Sequence, residues 1–291
     1  MIDSNKSCLD ISSGEYIIML GDDDCLLKDS LSKIYTTIKK YNFPEAISFN
    51  GISYHEIGSY HNSKYAYYKK NFFNYKKNKI KEGFINKDKR IEIVKKMFNF
   101  ENKLPLNMQT HILSKKIINK IKKPIYQPPF PDHYALNASL LLSKDWVISY
   151  KKIVAVGISN KSFGHYFYSD QKNKGIEYLG LDFKFDKNIS GSILNTCQMI
   201  WLKKIKTDYN SYLKNNNLNF NEYFTRQLYY NFRCFLHGQI SMQELIIFLK
   251  NLDFKYKILI PFVIINPINF YRFFKSRLIK KEKLLRILQN D

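Results

Sequence analysis

Gly-Glu-Tyr-Ile-Ile-Met-Leu-Gly-Asp-Asp-Asp, running from Gly14 to Asp24, joins a short apolar run to three consecutive carboxylates. The run from Glu15 to Leu20 is preceded by Gly14 and stopped by Gly21 and the aspartates, which predicts a buried β-strand. Its carboxyl end delivers Asp22, Asp23 and Asp24. Just beyond, Asp29 or Ser30 is placed to cap a helix on which Leu31, Ile34, Tyr35 and Ile38 fall at i, i+3, i+4 and i+7. The expected unit is strand, acidic loop, helix, the alternation of an α/β fold.

Adjacent carboxylates repel one another unless a cation or a metal-bound phosphate neutralises them. Their hard oxygens suit Mg²⁺ or Mn²⁺, and Mg²⁺ commonly sits between one or two carboxylates and the phosphates of a substrate. Strand ends are also where open α/β sheets bind ligands. Taken bare, the triplet reads first as a solvated acidic turn with one aspartate capping the next helix.

Downstream, Ala46 to Asn50 after Pro44 predicts a second strand. From Lys64 to Lys96 twelve Lys or Arg stand against Glu82, Asp88 and Glu92, interleaved with Tyr65, Tyr67, Tyr68, Phe72, Phe73 and Tyr75. This reads as a surface excursion, with a helix resuming near Asp88 on Ile91, Val94 and Phe98. A helix starting at Ser114 must end at the prolines Pro124, Pro128, Pro129 and Pro131. Tyr134 to Leu142 reads as helix and Trp146 to Gly157 as strand. From Ser192 onward the pattern is helical, with a capping box Ser241-x-x-Glu244 ahead of Leu245, Ile246, Phe248 and Leu249. Phe270 to Leu288 mixes Phe and Leu with seven Lys or Arg, a pattern that suits either an anionic membrane surface or packing on the rest of the protein.

The 291 residues, 45% of them hydrophobic, can bury a proper core. A formal charge of +22 favours anionic partners, whether nucleic acid, membrane or phosphorylated small molecules. Cys8, Cys25, Cys197 and Cys234 form no Cys-x-x-Cys pair, and the residues before position 20 carry Asp3, Lys6, Asp10 and Glu15, so a cytoplasmic protein is expected. Ile258 to Ile265 is too short to span a bilayer and contains Pro261. No metal-ligand spacing joins the histidines and cysteines, and neither a nucleophile elbow nor a phosphate loop is present.

The Gly14 to Asp24 stretch resembles the segment that carries the Asp-x-Asp element in family 2 glycosyltransferases of the A-type fold. A second stretch, Pro131-Asp-His-Tyr-Ala-Leu-Asn-Ala-Ser-Leu followed by Val154-Ala-Val-Gly-Ile-Ser-Asn-Lys-Ser-Phe-Gly164, resembles the acceptor side of the bacterial members of that family. The resemblance, carried by residues 1 to about 165, implies an α/β fold: an incomplete A-type glycosyltransferase (Rossmann-like) sheet domain over residues 1–190; the residue pattern makes the C-terminal region over residues 191–291 mostly helical and basic. It implies transfer of a sugar, with inversion, from a nucleotide-diphosphate sugar to a saccharide or lipid-linked saccharide acceptor in surface polysaccharide assembly.

By position, Asp132 matches the family's catalytic base, a role a carboxylate fills by taking the acceptor hydroxyl's proton. On its residues alone, Asp132 reads as a helix cap after Pro131. Asp22 and Asp24 are implied as ligands of Mn²⁺ or Mg²⁺, which would stabilise the departing diphosphate. Asp22, Asp23, Lys161, Ser162 and His165 are implied on the donor side; the glycines of the Gly157 to Gly164 loop permit close backbone approach, and the same loop reads equally as a solvated turn.

The chain enters at what resembles the family's third β/α unit, without the Val-x-Val-Ile-Pro strand and the next strand that hold the nucleotide, and Gly21 stands where the family has an aspartate. A sheet so shortened is expected to expose an edge. An inactive remnant of the enzyme, and a nucleic-acid-binding protein using the basic, aromatic stretch from Lys64 to Lys96, are the competing expectations, the latter without a recognisable binding module.

Overall fold

The computed structural model describes residues 2–59, 65–127, 129–159, 162, 192–236, 238 and 240–265. In chain order its elements are α1 (Ile2–Ile11), β1 (Tyr16–Ile17), β2 (Cys25–Leu26), α2 (Ser30–Lys40), β3 (Ala46–His55), β4 (Tyr67–Lys69), β5 (Gly83–Phe84), α3 (Lys87–Met97), β6 (His111–Ser114), α4 (Lys115–Ile118), α5 (Pro131–Leu142), β7 (Trp146–Ile158), α6 (Ile193–Asp208), α7 (Asn210–Leu213), α8 (Phe220–Leu236), α9 (Met242–Asn251), α10 (Phe254–Lys257) and α11 (Leu259–Ile265). The α/β sheet followed by helices agrees with the fold class expected from the sequence.

Two compact units divide the chain: Met1–Leu181 with Cys197–Leu218, and Asp182–Thr196 with Asn219–Asp291.

In the first unit, the long strands β3 and β7 pair in parallel from Ala46↔Trp146 to His55↔Ile158. Both are buried along most of their length, on successive residues and hence on both faces, though Ser48, Asn50 and Ser53 of β3 and Ser149, Lys151 and Lys152 of β7 interrupt the apolar residues. Short antiparallel strands line this pair end to end: β6 and then β4 along β3, β5 and then β2 along β7. β1 adds antiparallel to β6 and ends the sheet. Ile34 and Ile38 of α2 close one face over Ile47, Phe49, Ile112, Val147, Ile153, Val154 and Val156.

The central pair is irregular at Asn50 and Gly51, where the register shifts. A Cβ at Gly51 would lie 2.6 Å from the Val154 carbonyl oxygen, so only glycine lets the strands close here. The irregularity anchors the basic stretch that follows. Asn50 exchanges two hydrogen bonds with the Phe73 backbone, at 3.0 and 3.1 Å, and the Tyr75 hydroxyl donates to the Phe49 carbonyl at 2.8 Å. The expected surface excursion is therefore partly core: Tyr75, Ile80 and Ile85 are buried.

Two further expectations change. The Glu15 to Leu20 strand shrinks to Tyr16–Ile17 and is only half-buried, because it occupies the end of the sheet with one strand neighbour among the described residues. On α2, Ile34 and Ile38 are buried but Leu31 and Tyr35 are exposed. Asp29 precedes this helix in the left-handed region, φ 63°, and makes no capping bond; the Ser30 hydroxyl instead donates to the Leu27 and Ile153 carbonyls, both at 2.6 Å.

Two buried polar knots fix the first unit. His111 Nε2 reaches the Pro105 carbonyl at 2.8 Å, which can only accept, so Nδ1 receives the Ser48 hydroxyl at 2.8 Å, and the Ser48 oxygen accepts from Trp146 Nε1 at 2.8 Å. Arg90, 1% exposed, donates to four carbonyls: Ile85, Leu140, Ser143 and Lys144. Three of these lie at or just beyond the end of α5, where a positive charge also meets the negative pole of the helix.

In the second unit α8 packs against α9 and α11. Gln227 of α8 accepts from the Ser192 N–H at 2.7 Å and donates to Thr196 Oγ1 and the Tyr223 hydroxyl. The Ser241–Glu244 capping box forms as the sequence predicts. The basic stretch Phe270 to Leu288 lies outside the described residues.

Candidate functional site

The turn Gly21–Asp24 follows β1 and sits against the carboxyl end of β7, more than 130 residues away in sequence. Asp24 makes the junction. One carboxylate oxygen accepts the Gly21 N–H at 2.7 Å and the other accepts the Gly157 N–H at 3.0 Å. Burial pushes the Asp24 carboxyl up, opposed by those two backbone bonds and by a bond from the Gln109 side chain.

Gly157 is required by contact. A Cβ there would lie 1.9 Å from the Asp23 carbonyl oxygen, a distance no side chain tolerates. Asp23 Oδ2 then accepts from the Ser162 hydroxyl at 2.5 Å and from the Ser159 hydroxyl at 3.4 Å. Asp22 stands exposed, without a hydrogen bond or ion pair to any described residue.

The acidic turn of the first stretch thus meets Gly157, Ser159 and Ser162 of the second. Asp22, Asp23, Asp24 and Ser162 come together there. Lys161 and His165 lie outside the described residues.

Asp132 is held elsewhere in the same unit. Phe130, not Asp132, caps α5, with Pro131 in the first helical position, where a missing N–H is harmless. Asp132 sits in the first turn and accepts its neighbour's N–H, from His133, at 3.1 Å. Burial pushes its carboxyl up, only partly opposed by His133 and by backbone bonds. Burial likewise pushes His133 down. The His133 ring lies between Phe130, at 4.6 Å, and Trp201, at 5.7 Å, with Nδ1 buried and unbonded. Tyr126, whose hydroxyl contacts the Met19 sulfur, is pushed up by burial first and then by the Asp132 charge, and so lies between this helix start and the segment leading into the acidic turn.

Sequence reasoning missed Gln109 and Tyr126, since a lone Gln in a 3₁₀ turn and a Tyr before prolines carry no pattern. It also missed the clamping of Asp24, because the order of residues does not say which of three carboxylates faces inward.

Among the described residues no three His, Cys, Asp or Glu side chains gather to hold a metal ion. A closed, all-protein metal site does not fit this turn. What fits is a hard cation taking one or two carboxylates and completing its shell with phosphate and water.

These features define an α/β protein with an acidic turn docked at the end of a parallel strand pair. No family model and no curated protein matches the chain. Among solved structures, it is similar to S. aureus TarS residues 1–349, at 10% identity and a TM-score of 0.37, with 90% of this chain and 65% of that chain covered. The chain thus spans less than two thirds of that structure, and a likeness this loose carries neither fold nor function across.

Proposed function

We propose that this chain is part of a metal-dependent glycosyltransferase that moves a sugar from a nucleotide-diphosphate donor to a saccharide acceptor. The observation that carries the proposal is the hydrogen bonding of Asp23 and Asp24 to Ser162 and Gly157. It brings the acidic turn of one stretch against the Gly157 and Ser162 part of the other, distant in sequence, and the combined pattern of the two resembles the family.

In this reading the acidic turn faces the donor diphosphate, and a bound Mn²⁺ or Mg²⁺ supplies charge stabilisation to the leaving group. Asp132 is the base that takes the proton of the acceptor hydroxyl. Its raised proton affinity serves that task, since a base must hold the proton it removes. Transfer with inversion and a place in surface polysaccharide assembly belong to the same proposal.

Contact with an anionic membrane, which would present a lipid-linked acceptor, is supported by α10 and α11. Phe254, Ile258, Phe262 and Ile265, spaced as one helical stripe, are 89, 67, 70 and 73% exposed. The opposite side holds Tyr256, its ring tilted against Phe224 with centroids 3.9 Å apart, and the buried Val263. Lys250, Lys255 and Lys257 lie close to the stripe in the sequence and would supply charge to anionic headgroups. No helix among the described residues is long and apolar enough to cross a membrane.

Calorimetric titration with a panel of nucleotide-diphosphate sugars, with and without Mn²⁺, tests the central claim. Metal-dependent binding of at least one donor is expected, retained in Asp132→Asn while transfer falls by two to four orders of magnitude, roughly the worth of a general base. Absence of metal-dependent binding for every donor would reject the proposal.

A further inference from the structure

We infer that the first turns of α5 and the facing turn of α6 form a subsite for the uncharged, hydroxyl-bearing end of a saccharide, held by His133, Asn137, Gln198 and Trp201 beside Asp132. The subsite rests on polar atoms that the fold buries and leaves unpaired. That its occupant is the acceptor rests on the proposed function.

All five residues belong to the first unit. On α5, Asn137 is 0% exposed, and its Nδ2 donates to the His133 carbonyl at 2.7 Å. That bond fixes the amide and leaves Oδ1 buried without a donor, as His133 Nδ1 is without a partner. On α6, Gln198 and Trp201 stand three residues apart and so share one face. Gln198 Nε2 and Trp201 Nε1 are both buried without an acceptor, and Trp201 is 0% exposed. The Trp201 ring lies 5.7 Å from the His133 ring, nearly perpendicular to it, which sets the two turns against each other. Native folds seldom bury a polar atom unpaired, and four such atoms fall here on two neighbouring turns. Helices packed here for structure alone would be better served by apolar side chains.

The chemistry of the set selects the ligand. Two N–H donors, an amide oxygen and a ring nitrogen suit a group that both donates and accepts, as a hydroxyl does. Burial pushes the Asp132 carboxyl up, and among the described residues His133 and backbone N–H groups oppose that shift, with no lysine or arginine among them. Lys204, one turn beyond Trp201, acts on Asp208. A phosphate or carboxylate entering here would meet Asp132 without a cation to receive it, whereas a neutral sugar would not.

The second tryptophan of the chain is a built-in control, because Trp146 Nε1 already donates to Ser48 at 2.8 Å in the sheet core. The full chain, labelled with ¹⁵N-tryptophan, is titrated with the methyl glycosides of glucose, galactose, mannose and N-acetylglucosamine, and with the uronic-acid counterparts of the first three. At least one neutral glycoside is expected to move the Trp201 indole signal and slow its exchange with water, leaving Trp146 in place. Uronic acids should bind about tenfold or more weakly, because their charge faces Asp132. Gln198→Met removes the amide at nearly constant shape. It should weaken glycoside binding roughly tenfold while the melting temperature holds or rises, since an unpaired donor leaves the core. Trp201→Phe should lose the responding signal and a similar share of the affinity; if it does not fold, Gln198→Met is read alone.

The subsite is overturned if no neutral glycoside moves the Trp201 signal, if Trp146 moves equally, or if Gln198→Met binds like the parent. A Gln198→Met variant that melts lower also overturns it, because the amide would then serve the fold through water. If the glycoside results hold but no nucleotide-diphosphate sugar binds with Mn²⁺, the transferase reading fails and the subsite stands. If a donor binds and no glycoside does, the reverse holds.

Discussion

A carboxyl group that burial makes reluctant to ionise is a cost to the fold, and Asp132 carries that cost at the start of α5. The sign is fixed by its direction. The folded protein holds this proton more tightly than the unfolded chain, so at neutral pH the ionised group opposes folding, and the opposition fades as pH falls toward its ordinary value of 3.8 and is gone below it. Asp132→Asn should therefore raise the melting temperature at pH 7, with the gain shrinking toward pH 3.5; thermal melts of both proteins across that range measure it. A gain that is constant with pH would mean that the carboxyl does not titrate as described. The comparison must be made as a difference, because His55 and His111, both pushed down to about 4 by burial, act on both proteins alike. Their unfolded forms take protons first below about 6.5, so the whole fold weakens as pH drops from there toward 4.

At the scale of elements, Arg90 shows what a sequence conceals. It lies in the basic stretch read as surface, yet it is the largest charged side chain in the core and binds carbonyls at the end of α5, some 50 residues on. No local pattern distinguishes it from the lysines around it. Arg90→Ala is expected to cost about 3–5 kcal/mol in urea unfolding, because several buried carbonyls lose their donor at once. Arg90→Lys should recover little, since an ammonium cannot reproduce the planar fork. Elements whose signals are local were legible: the Trp146 strand, the helix after Pro131, the helix resuming near Asp88 and the Ser241 capping box. Those set by distant partners were not. β6 hides in His111–Ser114, which is too short to alternate, and the Ser114 helix proved a single turn, Lys115–Ile118. β1 was read too long, because an apolar run does not announce that it will lie at the end of a sheet.

At the scale of the whole molecule, the candidate site was legible as two patterns but not as one location. Their meeting depends on β7 carrying Gly157 to the acidic turn, a matter of topology that spacing does not encode. The apolar stripe of α10 and α11 is the other large-scale feature, and vesicle sedimentation tests its proposed partner. Binding to vesicles rich in phosphatidylglycerol, weakened by salt and by Phe262→Glu, is expected, with little binding to neutral phosphatidylcholine. No binding to anionic vesicles at low salt, or binding indifferent to Phe262→Glu, would exclude this face as the membrane contact.

The parallel pairing of β3 with β7 has a kinetic consequence. Its partners, Ala46 and Trp146 at one end and His55 and Ile158 at the other, are separated by about a hundred residues of chain, so the centre of the sheet cannot nucleate locally. That large loop must close before the strands reward each other, which makes the central sheet slow to assemble. The acidic turn has no dock until β7 is in place. The carboxylates proposed to meet the donor would then be ordered late in folding, and the fold can be largely complete before the chain is competent to bind.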